Sequence, residues 1–178
     1  MKTYRIFLAS SAELQTERVA FVAFIHDYNK ELKKYNFQLE VDWWEDMDDH
    51  VNNDRKQNDY NEALKNSHFL VMFFWTKVGK YTREEFELGR QLYAETGLPY
   101  IYCYEKICLP EQEQISKKEF LTYLNKPNQE QFQTPFTDFT KVKELYRKNF
   151  QRLLDDKNNI IITPNNQPAN LLSPNGVS

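Results

Sequence analysis

The feature that most constrains the fold is the segment from His68 to Trp75, which is apolar at every position after its histidine. A strand that faces solvent on one side alternates apolar and polar residues, and this segment does not. An unbroken apolar run of this length is typical of a central strand in a parallel sheet that is covered on both faces. We therefore expect helices on both sides of it.

The residues before this run show a strand, a helix and a second strand. Tyr4 to Ala9 is a short apolar run, and the Ser-x-x-Glu pattern of a helix capping box follows it at Ser10–Glu13. The next helix is predicted to reach about Lys34, and Phe37–Trp44 reads as the second strand. The apolar stripe of the helix consists of Leu14, Phe21, Ile25, Tyr28 and Leu32. The acidic and Asn-rich segment from Asp46 to Asn58 has no periodicity, which predicts a long loop.

The alternation continues after the loop. A short helix is predicted over Asp59–Asn66, and Thr82–Glu85 repeats the capping-box pattern after the central strand. The helix that starts there is expected to end at Gly97, before a strand over Leu98–Tyr104. Later segments are predicted as a helix, a polar connection and a last amphipathic helix: Pro110–Leu124, Pro127–Pro135 and Phe139–Leu153.

This order predicts an α/β fold, an open parallel sheet with helices on both faces, because crossovers between parallel strands are right-handed. Residues 1–157 are expected to form this one domain, and the Asn- and Pro-rich residues 158–178 a polar tail or linker. In such sheets ligands bind outside the carboxyl ends of the strands. The residues predicted to line that edge and to contact substrate are Ser10, Ser11, Trp44, Glu45, Trp75 and Tyr81.

Composition narrows the choice of partners. The formal net charge is −3, the calculated pI is about 5.7, and the basic residues are interspersed with acidic ones, which argues against direct contact with nucleic acid. The two cysteines, Cys103 and Cys108, lack the spacing of a zinc or redox motif, so we expect reduced thiols. With neither a signal peptide nor a spanning segment, the sequence favours a soluble, cytoplasmic protein that makes no membrane contact.

Several kinds of active site are disfavoured by the residues present. There are only four glycines and none follows the first strand, so the sequence has no phosphate-binding loop and no cofactor is expected. His26, His50 and His68 have no ligand spacing, and no metal site is predicted. The Gly-x-Ser-x-Gly turn of serine hydrolases is also missing.

What remains is a set of carboxylates beside aromatic residues. Glu84, Glu85 and Glu87 follow the central strand, and Trp44, Trp75 and Tyr81 share the same predicted edge. A carboxylate can stabilise an oxocarbenium-like transition state while aromatic faces hold flat rings, as in sites that bind sugars. The structural alternative is that Glu85 completes the capping box of Thr82 and that the tryptophans are core residues. Spacing alone favours that alternative.

The chain also resembles TIR-like domains, in particular the N-terminal modules of bacterial NTPase-linked defence proteins. The resemblance covers about the first hundred residues. It is carried by four segments: Arg5–Ser11 with Glu13, Glu17 and Arg18, the acidic loop after Val41–Trp44, Ser67–Trp75, and Gly79–Phe86.

The resemblance implies a flavodoxin-like sheet of about five strands and, in enzymatic members, cleavage of the nicotinamide–ribose bond of NAD. NAD would then be a substrate and not a cofactor. The family's required glutamate, early in the helix after the third strand, falls on Glu85, with Glu84 as the other register. The resemblance further implies that the loop from Glu45 to Asn58 folds over the substrate, that self-association completes the site, and that a sensor or NTPase domain can follow in a longer chain.

Two other functions stay open at this stage. Scaffold members of the family are non-enzymatic modules that self-associate to signal. Nucleoside deoxyribosyltransferases also pair a glutamate with a sugar on a similar sheet. The first alternative predicts a closed pocket around Glu85, and the second predicts exchange of bases between deoxynucleosides.

Overall fold

A computed structural model describes residues 1–43, 53–126 and 133–155. Strands and helices alternate in the order β1, α1, β2, α2, β3, α3, β4, α4, β5, α5. The strands are β1 (Lys2–Ser10), β2 (Phe37–Trp43), β3 (Phe69–Phe74), β4 (Tyr100–Lys106) and β5 (Gln133–Phe136). The helices are α1 (Gln15–Leu32), α2 (Asn53–Lys65), α3 (Lys80–Thr96), α4 (Ile115–Leu124) and α5 (Phe139–Asp155).

The five strands form one sheet in the order β2-β1-β3-β4-β5, and every neighbouring pair is parallel. This is the order of flavodoxin-like proteins, so the predicted fold class is confirmed. The predicted central strand is β3, which is buried at all of its positions. The short strand β5 overlaps the last residues of Pro127–Pro135, which the sequence predicts to be a polar connection. This strand was not predicted, because its first residues are polar and it lies at the edge of the sheet.

Each face of the sheet carries its own apolar cluster. On the first face, α1 and α5 pack over side chains that include Ile6, Val71 and Phe73. On the second face, α2, α3 and α4 pack over side chains that include Leu70 and Met72. Successive side chains of a strand point to opposite faces, which explains why every residue of β3 is apolar.

The helices begin at positions that differ from the predicted ones. The first is preceded by a 3₁₀ turn, Ala12–Leu14, whose N-cap Ser11 makes no side-chain capping bond. Helix α3 begins at Lys80 after Gly79, so Thr82 is its third residue and not its cap. Both predicted capping boxes are therefore wrong. Helix α2 begins at Asn53, so the predicted loop Asp46–Asn58 is also wrong over its last residues.

Among the helices of the described ranges, none combines the length and the apolar character that crossing a membrane requires. Residues 158–178, predicted to be a tail, lie outside the described part of the chain, as do Trp44 and Glu45.

Candidate functional site at the carboxyl edge of the sheet

The strand order reverses between β1 and β3, because the chain goes from β1 outward to β2 and then returns to β3 on the other side. In flavodoxin-like sheets this switch point opens a crevice at the carboxyl ends of the two strands. Here the crevice is bounded by two loops, residues 11–14 after β1 and residues 75–79 after β3.

Glu13 fixes these two loops to each other. Its carboxylate accepts hydrogen bonds from the backbone N–H groups of Thr76 and Lys77, at 2.9 and 3.2 Å, and from the Thr76 hydroxyl at 2.5 Å. Ser11, which is buried, donates its hydroxyl hydrogen bond to the Lys77 carbonyl at 2.8 Å. The residues predicted to cap a helix thus hold the β3–α3 loop instead. The Ser11 hydroxyl is engaged within the protein.

The start of α3 is fixed by Thr82. Its side chain is buried, and its hydroxyl donates a hydrogen bond of 3.3 Å to the Ser10 carbonyl at the end of β1. Because Gly79 is the N-cap, Glu85 is the sixth residue of the helix, beyond the positions whose side chains reach the free N–H groups of the first turn. Capping therefore does not explain Glu85.

The three glutamates of α3 have different surroundings. Glu84 lies 3.8 Å from Lys80, and Glu87 accepts a 2.9 Å bond from Arg83, in ion pairs that are open to solvent. Glu85 is half-buried. The structure therefore distinguishes Glu85 from the alternative register at Glu84, whose carboxylate belongs to the solvent-facing side of the helix.

The flank of α3 that carries Glu85 faces α2. Leu88 and Leu92, one and two turns further along, pack on the second cluster together with Tyr60 of α2. The opposite flank faces α4, where Arg83 lies over the ring of Tyr123 at 5.4 Å from its centroid. Of Glu85, Leu88 and Leu92, Glu85 comes first in the helix and therefore lies nearest the carboxyl edge.

Tyr81 lies four residues before Glu85, so the two share one flank of the helix. Its ring is 53% exposed, with the Lys80 ammonium 6.0 Å from the ring centroid. The structure thus brings together two of the predicted site residues, a half-buried carboxylate and an open aromatic ring.

Trp75 lies on the other face of the sheet. It packs on the α1–α5 cluster, and the Lys106 ammonium lies 4.2 Å from the centroid of its ring. Lys106 is also paired with the buried carboxylate of Glu17. Ser10 is on the same face as Trp75 by strand alternation, and its hydroxyl oxygen is buried without a hydrogen-bond partner. The predicted site residues are therefore divided between the two faces.

One carboxylate that sequence reasoning missed is Asp42, at the end of β2. It pairs in register with Phe7, whose side chain belongs to the second cluster, so Asp42 points to the face that carries α3. Its Oδ2 atom is buried without a partner. Burial raises the pKa of Asp42, with a smaller opposing effect of Arg5. The signal in the sequence is the polar alternation of Glu40 and Asp42 within the strand.

A second missed cluster lies under α4. Lys117 is 1% exposed, and its ammonium lies 2.8 Å from the Glu105 carboxylate, 3.3 Å from that of Glu113 and 3.4 Å from the Cys108 sulfur. Burial lowers the pKa of Lys117, but hydrogen bonds and charge attraction from Glu105 and Cys108 raise it above its ordinary value. The four-residue spacing of Glu113 and Lys117 signals an ion pair, whereas nothing in the sequence signals its burial.

The described residues also line cavities away from this edge. One of about 430 Å³ lies between α3 and α5 and is bordered by Arg90, Tyr93, Tyr100 and Tyr102. Within the described ranges, no group of three or more His, Cys, Asp or Glu residues is arranged to hold a metal ion.

Comparison of the chain with protein-family models finds no match. A search of curated proteins likewise finds none with significant similarity.

Proposed function

We propose that this chain is a TIR-like NAD glycohydrolase with Glu85 as its catalytic carboxylate. The observation that carries the proposal is the position of Glu85. It is half-buried at the carboxyl edge, one turn after the exposed ring of Tyr81, in a helix whose start is fixed by Gly79 and Thr82. Capping of the helix does not account for this carboxylate, because Glu85 lies beyond the first turn.

In the proposed reaction, water attacks the anomeric carbon of the nicotinamide riboside unit and nicotinamide leaves with the electrons of the C–N bond. The products are ADP-ribose, nicotinamide and a proton. As the C–N bond breaks, positive charge develops on the ribose ring, and the Glu85 carboxylate offsets it and accepts hydrogen bonds from the ribose hydroxyls. Tyr81 supplies an aromatic face for a flat ring of the substrate.

The supporting geometry is the set of hydrogen bonds that anchors the region carrying these two side chains. Glu13 and Ser11 hold the loop before α3, and Thr82 holds the helix to β1. A catalytic group must be held close to its productive position, since small displacements reduce the rate strongly. Such anchoring supports an enzyme over a module whose surface serves only for contact.

The experiment is to follow nicotinamide release from NAD at high protein concentration and with copies tethered in tandem, because the resemblance implies activity on assembly. We expect turnover, and Glu85→Gln should lower kcat by about 10²-fold or more. A protein that releases no nicotinamide in either format would overturn the proposal. Base exchange between deoxynucleosides would point instead to a deoxyribosyltransferase.

A further inference from the structure

A buried arginine lies at the same edge, on the other face of the sheet. Arg18 is in the first turn of α1 and is only 5% exposed. No carboxylate of the described residues forms an ion pair with it, and its Nε atom is buried without a hydrogen-bond partner. A buried charge with no counter-charge is strongly unfavourable in a folded protein. Such an arginine is suited to bind an anionic ligand.

Helix geometry places Arg18 at the level of the carboxyl ends of β1 and β2. Asn29, on the same flank of α1, forms hydrogen bonds of 2.8 Å with the backbone N–H and carbonyl of Leu39. Arg18 precedes Asn29 by about 16 Å of helix, the length of about five strand residues. Leu39 pairs in register with Tyr4, and five residues beyond Tyr4 is Ala9, next to Ser10. Helical side chains also lean toward the N-terminus, which favours a guanidinium directed toward the edge.

Ser10 is the second polar group at this place. Its side chain is on the face that α1 covers, and its Oγ atom is buried without a partner. The nearby carboxylates are engaged, since Glu13 accepts bonds from Thr76 and Lys77 while Glu17 is paired with Lys106. The guanidinium of Arg18 and the hydroxyl of Ser10 are uncommitted, as is the indole N–H of Trp75 on the same face, and all three can donate hydrogen bonds to an anion.

We propose that Arg18 and Ser10 form a binding site for a phosphoryl group at the β1–β3 switch point. Guanidinium binds phosphate oxygens in pairs, and the amino end of α1 adds a favourable dipole. For a dinucleotide substrate, this site holds the diphosphate while the sugar reaches Glu85. That last assignment rests on the proposed function, whereas the anion site itself does not.

The test measures binding by calorimetry with inorganic diphosphate, ADP and adenosine, so hydrolysis is not needed. We expect ADP to bind wild-type protein more tightly than adenosine does. Arg18→Met should remove that difference and weaken diphosphate binding by at least about tenfold, whereas Arg18→Lys should retain part of it. The matched control is Arg152→Met, an exposed arginine near the end of α5, which should bind like wild type.

A second measurement separates a binding role from a structural one. If Arg18 serves a ligand, Arg18→Met should leave the ligand-free melting temperature unchanged or raise it, because an uncompensated buried charge is removed. A lowered melting temperature together with unchanged diphosphate binding would overturn the proposal.

If NAD is not hydrolysed but diphosphate binding depends on Arg18, the anion site stands and the hydrolase does not. If NAD is hydrolysed and Arg18→Met has no effect on diphosphate binding or on KM, the hydrolase stands and the anion site does not.

Discussion

The most informative single residues are the polar ones that the fold buries, because their surroundings could not be deduced from the chain. His68 is 5% exposed, and its Nδ1 atom accepts a 3.0 Å hydrogen bond from the backbone N–H of Arg5. The sequence indicated only that His68 lacks the spacing of a metal ligand. The structure shows that it joins β1 to the start of β3 as a neutral acceptor.

Burial lowers the pKa of His68 to about 4, with a smaller contribution from Arg5. The unfolded chain therefore takes up a proton near pH 6.5 that the folded chain does not take up until about pH 4. The free energy of unfolding should therefore decrease by about 3 kcal/mol from His68 alone as the pH falls from 6.5 to 4, since one pKa unit corresponds to about 1.4 kcal/mol. Urea denaturation from pH 4 to 7 of wild type and His68→Asn, which keeps an acceptor, checks this. Parallel pH curves for the two proteins would contradict it.

Lys117 gives a second prediction for a buried charge. Replacing it by methionine leaves the Glu105 carboxylate, whose side chain is 12% exposed, without its cation. Breaking a buried pair in this way costs about 3–5 kcal/mol, so Lys117→Met should unfold at much lower urea. Lys118→Met, the exposed neighbour on α4, should cost less than about 0.5 kcal/mol. Equal midpoints for the two variants would show that Lys117 is dispensable.

Among the secondary-structure elements, α3 decides the site, and its start shows where sequence reasoning failed. Thr82 and Glu85 have the spacing of a capping box, but the hydroxyl of Thr82 binds the carbonyl of Ser10 in another element. The helix has its N-cap at Gly79, three residues before the predicted cap, and a local pattern did not show this. The end of α3 was predictable, because Gly97 adopts the left-handed conformation with φ of 80°.

The packing of α3 on the sheet depends on Gly89. A Cβ atom there would lie 2.5 Å from Cδ2 of Leu70, a side chain with no exposed area in the second cluster. Gly89→Ala should therefore destabilise the fold by about 1–3 kcal/mol, although alanine favours helix by up to about 1 kcal/mol. Adding Leu70→Val should recover part of the loss. Thermal and urea unfolding measure both effects, and a Gly89→Ala variant more stable than wild type would contradict the close approach.

At the scale of the whole molecule, apolar periodicity was sufficient to predict the fold class. The run from Phe69 to Phe74 indicated a strand covered on both faces, and the structure has such a strand at the centre of a 2-1-3-4-5 sheet. The carboxyl edge follows from that topology. What could not be predicted is how the edge residues divide between faces, with Tyr81 and Glu85 on one side and Ser10 and Trp75 on the other. Strand alternation sets the faces of Ser10 and Trp75, whereas the positions of Tyr81 and Glu85 depend on where α3 begins.

The most direct test of the central claim compares two neighbouring glutamates of α3 that differ in their surroundings. Nicotinamide release from NAD should be measured for Glu85→Gln and Glu84→Gln under conditions where wild type is active. We predict that Glu84→Gln retains activity within about twofold of wild type, because Glu84 is exposed and paired with Lys80, whereas Glu85→Gln loses at least about 10²-fold. Equal activity of the two variants would contradict the assignment of Glu85 as the catalytic carboxylate.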